Sequence, residues 1–392
     1  MWLLDTRTLE LHEFFGNKIP SYAILSHVWG AEEVSFVEMK KPKHRESARK
    51  KIGFSKIERC CAQALGAGHE WAWIDSCCID KRSSAELSEA INSMYSWYAN
   101  SDCCYVYLAD VSARGNFREE LKNSGWFTRG WTLQELLGPC ELSMALAAQY
   151  LRGEIDRLPS YADFTGELSI ITGIAADILS GEKYVSQACI SQRMFWASHR
   201  ETTRPEDRAY SLLGLFDISM PILCGEGLRK AFLRLSHEII SKSVHATIFA
   251  WNAGRFTHRL LADSPDEFRG SCSVVKRDYS RGRNSWIKDE VSMIMYHPMP
   301  ELQSPFLMTN IGLRVTLPLV VGVPADAHNT FESDHTTYGM EGNAKAILSY
   351  GLDGQNYNTA ITLDLTYVAD ASDGCPIFKV FRNNGWRRWT VL

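Results

Sequence analysis

This chain of 392 residues lacks several common signals, and each absence narrows what it does. None of its eleven cysteines stands in a CxxC spacing, so no zinc ribbon or thioredoxin-type motif is present and no metal site is expected. No apolar run approaches the roughly 20 residues that cross a bilayer, so no membrane span is expected. Positive charge is not in excess. Lys and Arg number 42 against 46 Asp and Glu, a formal charge of −4, which gives no electrostatic case for nucleic acid as a partner. There is no repeat and no low-complexity tract. The opening residues, Met1 to Phe15, carry Asp5 and Glu10 and no long apolar core, so they do not read as a secretory signal. A dinucleotide fingerprint is also missing, because Gly225-Glu226-Gly227 has neither a preceding strand nor a third glycine.

What is there describes a reduced globular protein. Hydrophobic residues make up 45% and charged residues 22%, ordinary for a folded chain, and the length predicts two or three domains. Twelve tryptophans are expected mainly as core anchors. Six cysteines stand in adjacent pairs, at 60–61, 77–78 and 103–104, in apolar contexts where free cysteine acts as a small hydrophobe. Reduced thiols predict an intracellular location, cytoplasmic or nuclear.

Residues 71–110 organise the rest. Trp71-Ala72-Trp73-Ile74 reads as a buried strand ending on Asp75. Ser83 or Ser84 can cap a helix whose apolar residues are Leu87, Ile91, Met94 and Tyr98. Cys103 to Leu108 reads as a second buried strand. This is a βαβ crossover and predicts a parallel sheet, with ligands beyond the carboxyl ends of the strands. Tyr22 to Val28 is another strand, and its polar end, Ser26-His27 with Trp29-Gly30, belongs on the edge of Asp75. Residues 52–68 are a helix feeding the Trp71 strand, so the first hundred residues read β, α, β, α, β.

Further along, Ser124 to Leu137 is an aromatic turn entering a helix near Arg129 or Gly130. Trp126 and Trp131 serve there as staples, while Arg129 amid aromatics calls for an anionic partner. Residues 141–190 read as helical and irregular. The charged loop Glu201 to Arg208 is expected to pair internally rather than bind phosphate. A helix follows at 209–216 and another at 231–240. From about 255 the runs at 313–317, 346–348, 359–363 and 378–381 predict a β-rich domain. The domain boundaries expected are 1–140 for the α/β domain, 141–254 for a helical extension and 255–392 for the β-rich part.

Three blocks resemble the fungal heterokaryon-incompatibility (HET) domain family. They are Tyr22 to Gly30 with the opening Leu3-Leu4-Asp5, then Trp73 to Lys81 continuing to Glu86, Glu89 and Met94, then Arg129 to Leu136. One departure is Cys224, where tyrosine is expected before Gly-Glu-Gly. The resemblance implies a role in cell death after non-self recognition. It also implies a TIR-like (flavodoxin-like) α/β fold, a parallel sheet with flanking helices. Catalytic TIR domains cleave the nicotinamide–ribose bond of NAD with one glutamate, and a carboxylate suits the oxocarbenium-like ribose that departing nicotinamide leaves.

By that resemblance the glutamate lies on the helix carrying Glu86 and Glu89. Glu86 sits about 110° from the centre of the apolar stripe and Glu89 about 170°, which favours Glu86. Aligning back from the following strand favours Glu89. On this reading Ser26, His27 and Trp29 line the pocket, Asp75 binds ribose hydroxyls, and Lys81 or Arg129 takes the pyrophosphate, with Trp131 beside them. NAD is then a substrate and no cofactor is expected. The alternative is a non-enzymatic module that self-associates or docks a protein regulator through the same fold. Ser26, His27 and Trp29 are then a packed strand end.

Overall fold

The computed structural model describes residues 1–111, 117–140, 142–146, 164–243, 245–252 and 259–276. It also describes segments 306–309, 312–314, 319–321, 343–347, 350–352, 359–360, 362–370, 376–381 and 389–390. The chain divides into two compact units, Met1–Gln187 with His199–Leu235, and Ala188–Ser198 with Ser236–Leu392.

The first unit is built on a six-stranded mixed sheet. Its strands are β1 (Trp2–Asp5), β2 (Leu11–Glu13), β3 (Ala23–His27), β4 (Trp71–Ile74), β5 (Cys103–Leu108) and β6 (Leu142–Leu146), in the order β2-β1-β4-β3-β5-β6. The strands expected around Ile24, Ile74 and Val106 pair in parallel, Ile24 with Trp73 and with Cys104. Every residue of β3 and of β5 is buried, because a parallel strand is covered on both faces; the run in β5 is largely apolar, while β3 ends on the buried polar pair Ser26-His27. β6 also joins in parallel, although residues 142–146 were expected in a helical stretch.

The expectation of a wholly parallel sheet is corrected at one edge. β1 and β2 form an antiparallel hairpin, and β1 pairs antiparallel with β4. The turn between them is fixed by the Asp5 carboxylate, which accepts the Arg7 and Thr8 N–H groups.

Six helices accompany these strands in the described residues up to 146: α1 (Phe36–Lys40), α2 (Pro42–Ala48), α3 (Ile52–Gly66), α4 (Ser84–Ala99), α5 (Phe117–Lys122) and α6 (Thr132–Leu137). α3 buries Phe54, Ile57, Cys60, Cys61 and Ala64, one helical stripe. Gly53 at its start is a close approach, since a Cβ there would lie 2.4 Å from the Glu32 carbonyl oxygen. α4 begins as expected, with Ser83 Oγ accepting the Glu86 N–H, and buries Ala90, Ile91, Met94 and Tyr98. The helix expected at 209–216 is instead two short pieces, Asp207–Tyr210 and Gly214–Phe216. A Cβ on Gly214 would overlap Tyr95, so the chain there packs too closely for another residue.

In the second unit, Leu319–Val321, Asn343–Ile347, Thr362–Asp370 and Pro376–Phe381 form a four-stranded antiparallel sheet in that order. Of the strand expected at 313–317, Gly312–Arg314 is observed and 315–317 lie outside the described residues.

Candidate functional site

The polar ends of β3 and β4 and the loops after them converge on one cleft. Trp29, two residues beyond β3, donates its indole N–H to Asp75 Oδ2 at 2.8 Å, tying the two loops together. The Lys81 ammonium lies 3.4 Å from the centre of that indole ring and the Arg129 guanidinium 5.7 Å from it. Cations stack on an aromatic face because the ring quadrupole is negative there. Lys81 is exposed as a residue, yet loss of hydration over the ring draws its ammonium below the ordinary lysine range, against the opposing pull of Asp75. The cleft holds about 200 Å³ and is lined by Trp29, Glu33, Ser76, Asp80 and Lys81 among others.

Beneath Trp29 the His27 ring is enclosed between two carboxylates. Nε2 lies 3.7 Å from Glu33 Oε2 and Nδ1 lies 3.8 Å from Asp75 Oδ1. Both separations exceed a hydrogen bond. His27 Nδ1 and Nε2, Asp75 Oδ1 and Ser76 Oγ are all buried without a hydrogen-bond partner. Such a group of unsatisfied polar atoms is uncommon in a folded interior.

Glu33 is the glutamate in the cleft wall. Burial alone would raise its carboxyl, but His27, Lys56 and the Gly30 N–H outweigh that and hold it near 2. Lys56 Nζ is ion-paired with Oε1, and the Gly30 N–H donates to the same oxygen at 2.6 Å. Sequence reading missed Glu33, since an acidic pair after a glycine turn reads as an ordinary loop. Only the reach of Lys56 from α3 sets it apart.

A second layer lies deeper. Ser26 Oγ donates to Glu135 Oε2 at 2.5 Å and accepts the Trp126 indole N–H at 2.8 Å. Burial, then the charge of Asp75, push the Glu135 carboxyl up to about 8, against Ser26 and Arg129. It is therefore mostly protonated at neutral pH. Arg200 is also buried, and burial lowers its guanidinium to about 9 while Glu135 opposes the shift. Arg200 donates to the Arg129 carbonyl and to Thr132 Oγ1, each at 2.9 Å. The Gly130 N–H donates to the Glu201 carbonyl at 2.7 Å, so residues 200–201 fix the backbone that carries Arg129. Glu135 was not singled out from sequence. The available signal was its place between Leu133 and Leu136 on a short helix buried on nearly every side.

The expected residues separate accordingly. Trp29, Asp75, Lys81 and Arg129 come together, with His27 under them and Ser26 in the deeper layer. Glu86 does not line the cleft. Its Oε1 accepts the Asp80 N–H at 2.9 Å, so it braces the loop that does. Glu89 is exposed on α4, off the cleft. Trp131 points elsewhere, donating to Asp207 Oδ2 at 3.3 Å. Among the described residues no cluster of His, Cys, Asp and Glu could hold a metal ion, and no helix is long and apolar enough to cross a membrane.

Residues 22–119 match the family model of the heterokaryon incompatibility protein (HET). They are a HET domain. Over 231 residues the chain is 42% identical to the vegetative incompatibility protein HET-E-1 of Podospora anserina, an alignment covering 57% of this chain and 16% of that protein. The chain thus spans a small part of that relative's length. No solved structure matches it. The HET domain supplies Trp29, Glu33, Asp75 and Lys81, while Arg129, Glu135 and Arg200 follow its matched residues and complete the site.

Proposed function

We propose that this chain acts in fungal vegetative incompatibility, in the cytoplasm, and that its HET domain kills by cleaving NAD at the nicotinamide–ribose bond. The observation that carries this reading is the convergence of an aromatic face, two cations and ionised carboxylates at one cleft. Trp29 stacks nicotinamide or adenine once Lys81 leaves the ring, and Lys81 and Arg129 then take the pyrophosphate. Asp75 binds ribose hydroxyls through the oxygen that now lacks a partner. The parallel order β4-β3-β5-β6 reverses direction beside β3, the arrangement of doubly wound sheets, and supports the TIR-like reading.

The bond to nicotinamide breaks with its electron pair going to the ring nitrogen, and the ribose becomes oxocarbenium-like before water adds. Glu33, held ionised, is the cleft carboxylate suited to that charge. Glu86 contributes by bracing Asp80, and Glu89 is the other carboxylate of α4 that the family resemblance offers. The test is incubation of the pure chain with NAD. Free nicotinamide in step with NAD loss is the expected result, and NAD left intact sinks the reading.

A second reading is a docking module that self-associates or binds a protein regulator. The small volume of the cleft, with Lys81 over Trp29, favours it. Fungal cell death without NAD loss would leave that reading in place.

A further inference from the structure

At the opposite, amino-terminal edge of the same sheet, three side chains form an arrangement that the cleft does not use. Cys103 opens β5, and its Sγ lies 3.5 Å from His69 Nε2. His69 Nδ1 lies 3.4 Å from Asp102 Oδ2. Thiol, imidazole and carboxylate thus stand in line, the order in which a base takes a thiol proton and a carboxylate steadies the resulting imidazolium.

The backbone holds each member in place. Gly68, at φ +91°, turns the chain out of α3 in a conformation that side chains resist. The next residue, His69, donates its N–H to Ala64 and offers its carbonyl to the Thr6 hydroxyl. The Asp102 N–H donates to the Tyr22 carbonyl, and the Ser21 hydroxyl is hydrogen-bonded to the Asp102 carboxylate. Exposure rises outward along the line: Cys103 is 8% exposed, the His69 side chain 19% and the Asp102 side chain 45%. The thiol is therefore the innermost of the three, at the first residue of β5, and His69 and Asp102 lead from it to solvent.

The neighbouring cysteines differ. Cys60, Cys77 and Cys104 are fully enclosed, and burial drives their thiols well above the usual range. Cys61 is pushed up to about 12 for the same reason. A buried apolar thiol is inert, while one beside an imidazole is the kind that reacts.

We propose that Cys103 is a reactive thiol that forms mixed disulfides with low-molecular-weight disulfides, His69 acting as its base and Asp102 as the residue that orients His69. The thiol proton passes to His69 Nε2 as Cys103 Sγ bonds to one sulfur of the incoming disulfide. The disulfide's S–S bond breaks, and its second sulfur leaves as a thiolate that takes up a proton. Cys103 is oxidised and the disulfide is reduced, so atoms and electrons balance.

The test exposes the full chain briefly to oxidised glutathione at neutral pH and maps modified cysteines by mass. Exposed Cys140, Cys224 and Cys272 serve as internal controls. Cys103 is expected to react at least about ten-fold faster than Cys60, Cys61, Cys77 and Cys104, and His69→Gln should slow Cys103 by about ten-fold or more. The controls should be unchanged. Asp102→Asn, a substitution at an exposed position, should slow Cys103 by about three-fold and covers the case in which His69→Gln does not fold. Modification of Cys103 together with Cys60 and Cys104 would mean local unfolding and would overturn the proposal. So would a Cys103 rate that neither variant changes.

Discussion

Two glutamates in the first unit sit within one site and are held in opposite states. Glu33, in the cleft wall, is kept near 2 by Lys56, the Gly30 N–H and His27 despite partial burial. Glu135, one layer down, is pushed up to about 8 because burial and the charge of Asp75 outweigh the Ser26 hydroxyl and Arg129. The residue type is the same and the surroundings decide the charge. Where environments drive two carboxyls apart, one is suited to stabilise positive charge and the other to stay neutral and donate. On the proposed reading the outer layer carries the chemistry and the inner layer sets its geometry.

The largest expected effect lies in the outer layer. Glu33→Gln keeps the shape and removes the charge, so nicotinamide release should fall about 10²–10³-fold. Measured rates within a few-fold of wild type would place the chemistry elsewhere.

The inner layer is tested through stability. Glu135 keeps its proton in the folded chain between pH 4.5 and about 8, where the unfolded chain has lost it, so its contribution to stability falls as pH rises through that window. Glu135→Gln removes this dependence, and its Tm relative to wild type should rise by roughly 5 °C or more from pH 5 to pH 8. Glu33 has the opposite sign. Its contribution, on the order of 3 kcal/mol, is complete above pH 4.5 and is lost as pH falls through about 2. Acid unfolding of Glu33→Gln should accordingly be flatter below pH 4.5, and parallel titrations of the two variants would erase the contrast.

Smaller effects sharpen the boundary of the cleft. Lys81→Met frees the Trp29 ring but removes a phosphate partner, so KM for NAD should rise about ten-fold with kcat changed less. Trp131→Phe loses the bond to Asp207 and part of the ring's packing. It should cost about 1 kcal/mol of stability and leave nicotinamide release within about two-fold.

Legibility in the sequence followed burial. β3, β4 and β5 were readable because strands covered on both faces must be largely apolar, and α4 because Ser83 and the Leu87–Tyr98 stripe announce it. β6 was not, since Leu142-Ser143-Met144-Ala145-Leu146 is only five residues long and follows the glycine- and proline-containing stretch 138–141. The antiparallel placing of β1 depends on its partner in β4, which no local pattern encodes. Of the site, Trp29, Asp75, Lys81 and Arg129 were named through the family resemblance. Glu33 and Glu135 were not, because their character comes from burial and from Lys56, Asp75 and Ser26, residues distant in the chain. Glu86 was readable as a first-turn carboxylate, but its hydrogen bond to the Asp80 N–H was not.

The measurement that bears most directly on the central claim compares nicotinamide release by Glu33→Gln with that by a Glu86→Gln, Glu89→Gln double variant. Both are taken as folded full-length protein beside wild type. With the chemistry in the cleft wall, the double variant retains activity within about ten-fold, its deficit coming from a loosened Asp80 loop, while Glu33→Gln falls by about 10²-fold or more. The reverse ranking, with Glu33→Gln active and the double variant dead, would contradict the account and move the reaction to α4.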